Sequence, residues 1–450
     1  MLVSFSVQNY RSFAERQQIS LVAGTSSRKH ERLAFETGNS HASHLLRTAC
    51  LFGPNGSGKS SLIKAMQFYK LFVLTSAKMQ TGEHISLTSF LLDQEWRQSP
   101  SEFEAEFIDP ATGAFFQYGF VVDQERVWQE WLFRRTAKKG SKMLELFQRL
   151  YDPERQAYTV TFNHNQVKEK KSRKQDWIEA TTDNALLLST AVQLNANSFQ
   201  EVFESIYDSW DILDSPGRLF SGYTAQQCHE NEERWKQRIQ HLMSRVDIPL
   251  HDIESVPKDL DFDDDGHARP DPNEILGFKK EKEKFELCAF DVSFLHSDSD
   301  GKPIPLKLQE ESDGTQVLFG LAGPILYTLD RGTSLVVDEL GNSLHPHALR
   351  FIVELFLNPK TNPNNAQLIF TSHETYVLAD NLLHQDQIWL LDKGEQKQTV
   401  LVPLSDFNVR QYAAFQKAYL AGRFGGVPRI GDLPENFIPS RSTSTSGDEG

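Results

Sequence analysis

The sequence predicts an α/β fold, and three segments carry that prediction. Gly53-Pro-Asn-Gly-Ser-Gly-Lys59-Ser60-Ser61 lies between the apolar run Thr48–Phe52 and a helical pattern that opens at Ser61. Ser334-Leu-Val-Val-Asp338-Glu339 is an apolar strand ending on two carboxylates, and Gln367-Leu-Ile-Phe-Thr-Ser-His373 is another, ending on Ser-His. Strand, Gly-rich loop and helix in succession make the unit of an open α/β sheet, whose ligands sit at the C-terminal ends of its strands.

The first segment fits G-x-x-x-x-G-K-[ST], the loop that wraps a nucleoside triphosphate. The loop of Gly53, Pro54, Asn55, Gly56, Ser57 and Gly58 through to Ser61 wraps the phosphates: the backbone N–H groups of its residues other than Pro54 cradle them, and the helix N-terminus attracts them. Lys59 reaches the β- and γ-oxygens, and the Ser60 hydroxyl ligates Mg²⁺. The expected ligand is ATP or GTP. Asp338 is placed to complete the Mg²⁺ shell, and Glu339 to position and deprotonate an attacking water. His373, at a strand end facing the same crevice, can hydrogen-bond a γ-phosphate.

Upstream of the two acids, Glu311-Ser-Asp-Gly-Thr-Gln316 leads into the helical pattern Val317-Leu-Phe-Gly-Leu-Ala322. Ser312 and Gly314 stand where that helix begins, so a hydroxyl, free N–H groups and the helix dipole face the same way. Pro324 falls inside the helix and predicts a kink or an early end.

Bulk properties narrow the class. The 450 residues leave room for two or three domains, and 39% hydrophobic with 24% charged residues is the balance of a soluble globular protein. No apolar run approaches the roughly 18–20 residues of a membrane span, and the N-terminus lacks the regions of a signal peptide. Cys50, Cys228 and Cys288 are scattered, which suits a reducing cytoplasm and argues against a zinc site. A net charge of −14 argues against general coating of nucleic acid but leaves room for a local basic groove. The basic runs Arg134–Lys139 and Lys168–Lys174, and the acidic runs His229–Glu233 and Asp259–Asp265, read as solvated faces, with contact to a partner or to nucleic acid the alternative for the basic pair. Asp263-Asp-Asp-Gly-His lacks the alternating ligands of a calcium loop. The tail from Pro439 has nothing to bury and is expected to be disordered.

The order of motifs (Gly-rich loop, Ser-x-Gly turn, strand-Asp-Glu, Leu344-His-Pro346, strand-Ser-His) resembles the ABC-type ATPase head of the SMC, RecF and OLD proteins. The resemblance implies a mixed β-sheet with flanking helices, an antiparallel β-lobe, and ATP with Mg²⁺ as cofactors. It makes Ser312-Asp-Gly314 the signature motif, Asp338–Pro346 the Walker B motif with its D-loop, and His373 the switch histidine. It also implies a homodimer, each ATP lying between the P-loop of one subunit and the signature of the other. Val7-Gln-Asn-Tyr-Arg-Ser-Phe13 is similar to the opening strand and turn of RecF- and OLD-like ATPases, which implies a nucleotide contact for Arg11. Phe103–Phe107, Tyr118–Val122, Gln129–Phe133 and Tyr419–Pro428 look like pieces of AbiL/RloA-type abortive-infection ATPases. The signature departs from Leu-Ser-Gly-Gly-Gln, which argues against transporter-type coupling; Gln94 is a weak Q-loop candidate.

The expected layout is an N-terminal ATPase lobe over 1–134, a mostly helical insertion over 135–285, a C-terminal lobe over 286–430 and the tail 431–450. Within the insertion, Cys228, Trp235, Ile239, Leu242 and Val246 give one apolar stripe of helical spacing, too short for a coiled coil. Asn184–Ser189 and Val202–Trp210 are further helical candidates, and Gln387–Leu391 is expected to be a last core strand. OLD proteins add a TOPRIM nuclease after the head, and its acidic pattern is missing after His373. The resemblance therefore implies an anti-phage ATPase that controls a separate effector, such as a nuclease or toxin. Two alternatives stay open: a RecF/SMC-like clamp on DNA, and a scaffold that binds ATP without turnover.

Overall fold

The computed structural model describes residues 1–214, 220–230, 232–260, 271, 274–281, 284–378, 382–407 and 415–425. The tail 431–450, the Asp263–Gly266 run and residues 426–428 of the C-terminal Gly-rich motif lie outside them.

The chain opens with strands β1 (Leu2–Gln8) and β2 (Gln17–Ser20), then the small hairpin β3 (Ala34–Glu36) and β4 (His44–Leu46). Strand β5 (Thr48–Phe52) runs into the Gly-rich loop and helix α1 (Lys59–Thr75). A short helix α2 (Gln94–Gln98) follows, its N-terminus capped by the Asp93 carboxylate. Strands β6 (Ser101–Ile108), β7 (Phe115–Val122), β8 (Val127–Arg135), β9 (Leu144–Asp152) and β10 (Ala157–Phe162) then meander antiparallel. With β1 and β2 they form a seven-stranded sheet in the order β10-β9-β8-β7-β6-β1-β2.

Helices α3 (Lys171–Ala180), α4 (Leu187–Gln193) and α5 (Asn197–Ser209) lead to β11 (Trp210–Leu213). Helices α6 (Ser221–Glu230) and α7 (Glu232–Ser244) precede a third sheet, of β12 (Asp252–Lys258), β13 (Ile275–Glu281), β14 (Lys284–Ser297) and β15 (Pro303–Lys307). Helix α8 (Asp313–Arg331), β16 (Ser334–Val337), α9 (Pro346–Leu357), β17 (Gln367–Ser372), β18 (Ile388–Lys393), β19 (Thr399–Pro403) and α10 (Phe415–Leu420) complete the chain.

The central sheet has the order β11-β16-β17-β5-β18-β19, parallel except for β19. Alternate residues of its strands feed two cores. Ala49, Leu51, Val336 and Ile369 join α1, α5 and the antiparallel sheet, while Cys50, Phe52, Leu335, Val337, Leu368 and Phe370 join α7, α8 and α9. Burial on both faces is why these strands read as unbroken apolar runs.

Two expectations change. Residues 135–285 hold the helices α3 to α7 but are not a separate helical unit: β9 and β10 extend the β-lobe sheet, β11 enters the central sheet, and β12, β13 and the start of β14 belong to a third sheet. The period-two alternation of Asp252-Ile-Glu-Ser-Val, inward at Ile253 and Ser255, is a strand signal that the helical reading passed over. Helix α8 also runs through Pro324 to Arg331 without an early end. The apolar stripe does pack as short helices, with Ile239 and Leu242 buried in the core beside α8. Among the described residues, no helix is long and apolar enough to cross a membrane.

Candidate nucleotide site

The Gly-rich loop is braced from three directions. Gly58 caps α1 in the left-handed region, at φ 109°, and a Cβ there would lie 2.1 Å from Thr399 Oγ1. A Cβ on Gly53 would fall 2.4 Å from the Leu391 carbonyl oxygen. Only glycine fits either place. Thr399 Oγ1 donates to the Ser57 carbonyl (2.7 Å) and shares a hydrogen bond with Ser12 Oγ (2.8 Å). Strand β19 and the turn after β1 thus hold the loop open as a cradle.

Inside the cradle, the Lys59 ammonium donates to the carbonyls of Gly53 (2.7 Å) and Pro54 (3.1 Å). Burial pulls its pKa down to about 8, while Asp338 and Glu339 act to hold it up. The Ser57 hydroxyl is buried without a hydrogen-bond partner. A buried cation near two acids, an orphaned hydroxyl and a loop that excludes side chains fit a bound polyphosphate, and Ser60 with Asp338 supplies the oxygen donors suited to Mg²⁺.

The acids come from the end of β16. Asp338 is buried, and its Oδ1 accepts a hydrogen bond from Thr371 Oγ1 at 2.6 Å. Glu339 is half-buried and takes a left-handed backbone, φ 53°, that turns its carboxylate toward His373: Oε1 lies 3.9 Å from Nε2. Asn342 approaches the same carboxylate at 3.4 Å. Burial first, then the Lys59 charge, hold His373 below its ordinary value; Glu339 and Asp338 oppose them. A cleft of about 960 Å³ joins Gly53, Pro54 and Asn55 to Glu339 and His373, with Asp392 and Tyr419 on its far wall.

Lys59, Asp338, Glu339 and His373 therefore converge. Ser312 and Gly314 do not join them. Ser312 is the exposed N-cap of α8, its Oγ accepting from the Thr315 N–H at 3.2 Å, and Gly314 packs against the Ser343 carbonyl of the loop after Glu339. Neither lines the cleft. Arg11 is not brought to it either. Its backbone is left-handed (φ 51°) and its guanidinium rests on Tyr10, lining a separate groove with Lys64 and Gln67. Its neighbour Ser12 is the residue of that turn that touches the cradle. Gln94 sits at the start of α2 and lines none of the cleft. The basic runs are partly consumed in structure: Arg134 pairs with Glu201, and the buried Lys174 donates to the Val167 carbonyl. Thr371 and Thr399 were missed by motif reading, since their partners lie far away in sequence.

Residues 49–379 match the protein family described as "AAA domain, putative AbiEii toxin, Type IV TA system". The chain belongs to this family. Its matched segment spans the Gly-rich loop, both acids and the histidine. No curated protein matches the chain significantly. Similar solved structures include the SMC head domain from Thermotoga maritima, at 13% identity over 89% of this chain and 98% of that one, with a TM-score of 0.37. An SMC head bound to the C-terminal winged-helix domain of ScpA shares 13% identity over 90% and 98%, TM-score 0.39. The recombination mediator RecF shares 10% over 89% and 98%, TM-score 0.30.

Proposed function

We propose that this AAA-domain protein is an ATP-hydrolysing switch of an anti-phage, abortive-infection system, closing as a homodimer around ATP to govern a separate effector protein. The observation that carries the catalytic part is that Glu339 and His373 line one cleft with the Gly-rich loop, while Lys59 and Asp338 lie close enough for their charges to act on them. Lys59 exchanges the Gly53 and Pro54 carbonyls for phosphate oxygens. Ser60 and Asp338 are the residues that would hold Mg²⁺, and the ion would supply neutralisation of phosphate charge. Glu339 takes the proton of the water that attacks the γ-phosphorus, and ADP leaves. His373, held neutral near pH 7, hydrogen-bonds the transferred group. The dimer is supported by the position of the signature turn at a helix N-terminus outside its own cleft, with Ser312 exposed and Gly314 half-buried. The defence role is supported by the family's description and by the resemblance to abortive-infection ATPases.

Glu339→Gln tests the reading. Turnover should fall by roughly 10²–10⁴, and light scattering should detect an ATP-stabilised dimer. Subunits carrying Lys59→Ala and Ser312→Arg, each inactive alone, should regain turnover when mixed. Normal turnover by Glu339→Gln, or ATP that never changes the subunit mass, overturns it.

A further inference from the structure

Thr371 is fully buried on β17, one strand away from the acids it serves. Its side chain does two things at once. Its O–H donates to Asp338 Oδ1 at 2.6 Å, and its oxygen accepts the Glu339 N–H at 2.6 Å. Its own carbonyl accepts the next N–H, from Leu340, at 3.1 Å. The turn after β16 is thus pinned to a single residue at two successive amides. Between those amides, Glu339 holds a left-handed φ of 53°, which a non-glycine residue adopts only when its surroundings impose it.

We infer that Thr371 is the positioning residue of this site, its one hydroxyl orienting the Asp338 carboxylate toward a divalent cation and fixing the backbone that aims Glu339. The direction of the bond follows from the chemistry. An ionised carboxylate only accepts, and a backbone N–H only donates, so the hydroxyl proton points to Asp338 and the lone pair to Glu339. With one Asp338 oxygen committed to Thr371, the carboxylate stops rotating and presents its other oxygen in a set direction. Side chains that orient metal-binding groups in this way govern affinity by about 10–100-fold when removed. The inference rests on the ATPase reading of the cleft and deepens it.

Thr371→Val keeps the shape and removes both side-chain hydrogen bonds; Thr371→Ser keeps both. Each variant is first checked for a wild-type melting profile. Affinity for the non-hydrolysed analogue AMP-PNP is then measured in EDTA and in Mn²⁺, with free Mn²⁺ counted by electron paramagnetic resonance, alongside kcat and KM for ATP. Thr371→Val should bind the analogue normally in EDTA, lose about 10–100-fold in Mn²⁺ affinity, and lose kcat with little change in KM. Thr371→Ser should come back to within about threefold of wild type on both counts. Valine and serine variants that are equally impaired would make the role one of packing and overturn the inference. So would a valine variant with wild-type Mn²⁺ affinity, whether or not the parent protein hydrolyses ATP. A parent protein that binds Mn²⁺ and nucleotide without turnover sinks the hydrolytic reading alone.

Discussion

Thr224 Oγ1 lies 3.3 Å from the Gly320 carbonyl oxygen, the group that Pro324 leaves without a helical donor. Proline at position 324 has no N–H to give to residue 320, four positions earlier, and a break in α8 would ordinarily follow. The hydroxyl comes from the neighbouring helix α6 and also accepts from the Gly323 N–H at 3.1 Å. A Cβ at Gly323 would lie 2.5 Å from that oxygen, so the glycine is what lets the two helices approach.

Thr224→Val removes the donor and leaves a buried carbonyl unpaired. The expected loss is about 1–3 kcal/mol in urea unfolding, with Thr224→Ser close to wild type. A valine variant of unchanged stability would mean that the carbonyl finds another partner. Because neither Thr224 nor Gly320 lines the nucleotide cleft, the same substitution should leave nucleotide affinity of the isolated subunit untouched.

The two inner glycines of the loop separate conformation from contact. Gly56 (φ 76°) has open space where a Cβ would stand, whereas Gly58 (φ 109°) would strike Thr399 and Ser12. Gly56→Ala should cost only the left-handed backbone, about 1–2 kcal/mol. Gly58→Ala adds overlap of roughly 1–3 kcal/mol and pushes the loop off β19, so ATP affinity should fall by at least about tenfold more than for Gly56→Ala. Equal losses for the two variants would show that the brace at Thr399 is unimportant.

What the sequence disclosed and what it hid divide by distance along the chain. The Gly-rich loop, the strand ending on Asp338-Glu339 and the strand ending on His373 are local patterns, and all three meet where their spacing places them. The residues that support them are not local. Thr371 serves Asp338 from 33 positions away, Thr399 serves Ser57 from 342 away, and no pattern links them. Glu130 makes the same point in the β-lobe. Its fully buried carboxylate accepts the N–H groups of Leu187 and Leu188 at the start of α4, with Arg149 at 3.9 Å and the Tyr118 hydroxyl at 2.9 Å. In sequence it is one charge in a strand. That network is also why 135–285 could not be cut away as an independent insertion: α4 is docked on β8. The misplacement of Arg11 has a backbone cause, since the left-handed residue turns the guanidinium back onto Tyr10.

His373 offers the clearest dependence on pH. Burial is the larger cause of its lowered pKa and the Lys59 charge the next, while Glu339 pulls the other way. The imidazole should therefore titrate below 6.5, followed by nuclear magnetic resonance of ¹⁵N-histidine-labelled protein and assigned by the signal lost in His373→Gln. Lys59→Met removes a repelling cation and should raise the midpoint; Glu339→Gln removes an attracting anion and should lower it further. The sign for stability follows from the same ordering. The unfolded chain binds this proton more readily than the folded one, so the contribution is complete above the unfolded value near 6.5 and is lost as pH falls through the folded one. His373→Gln should flatten that part of the stability profile and nothing above pH 7. Opposite responses to the two charge substitutions are the decisive result, because burial alone would leave both midpoints where they were. Should Lys59→Met and Glu339→Gln shift the midpoint in the same direction, or not at all, the three side chains do not share one electrostatic site.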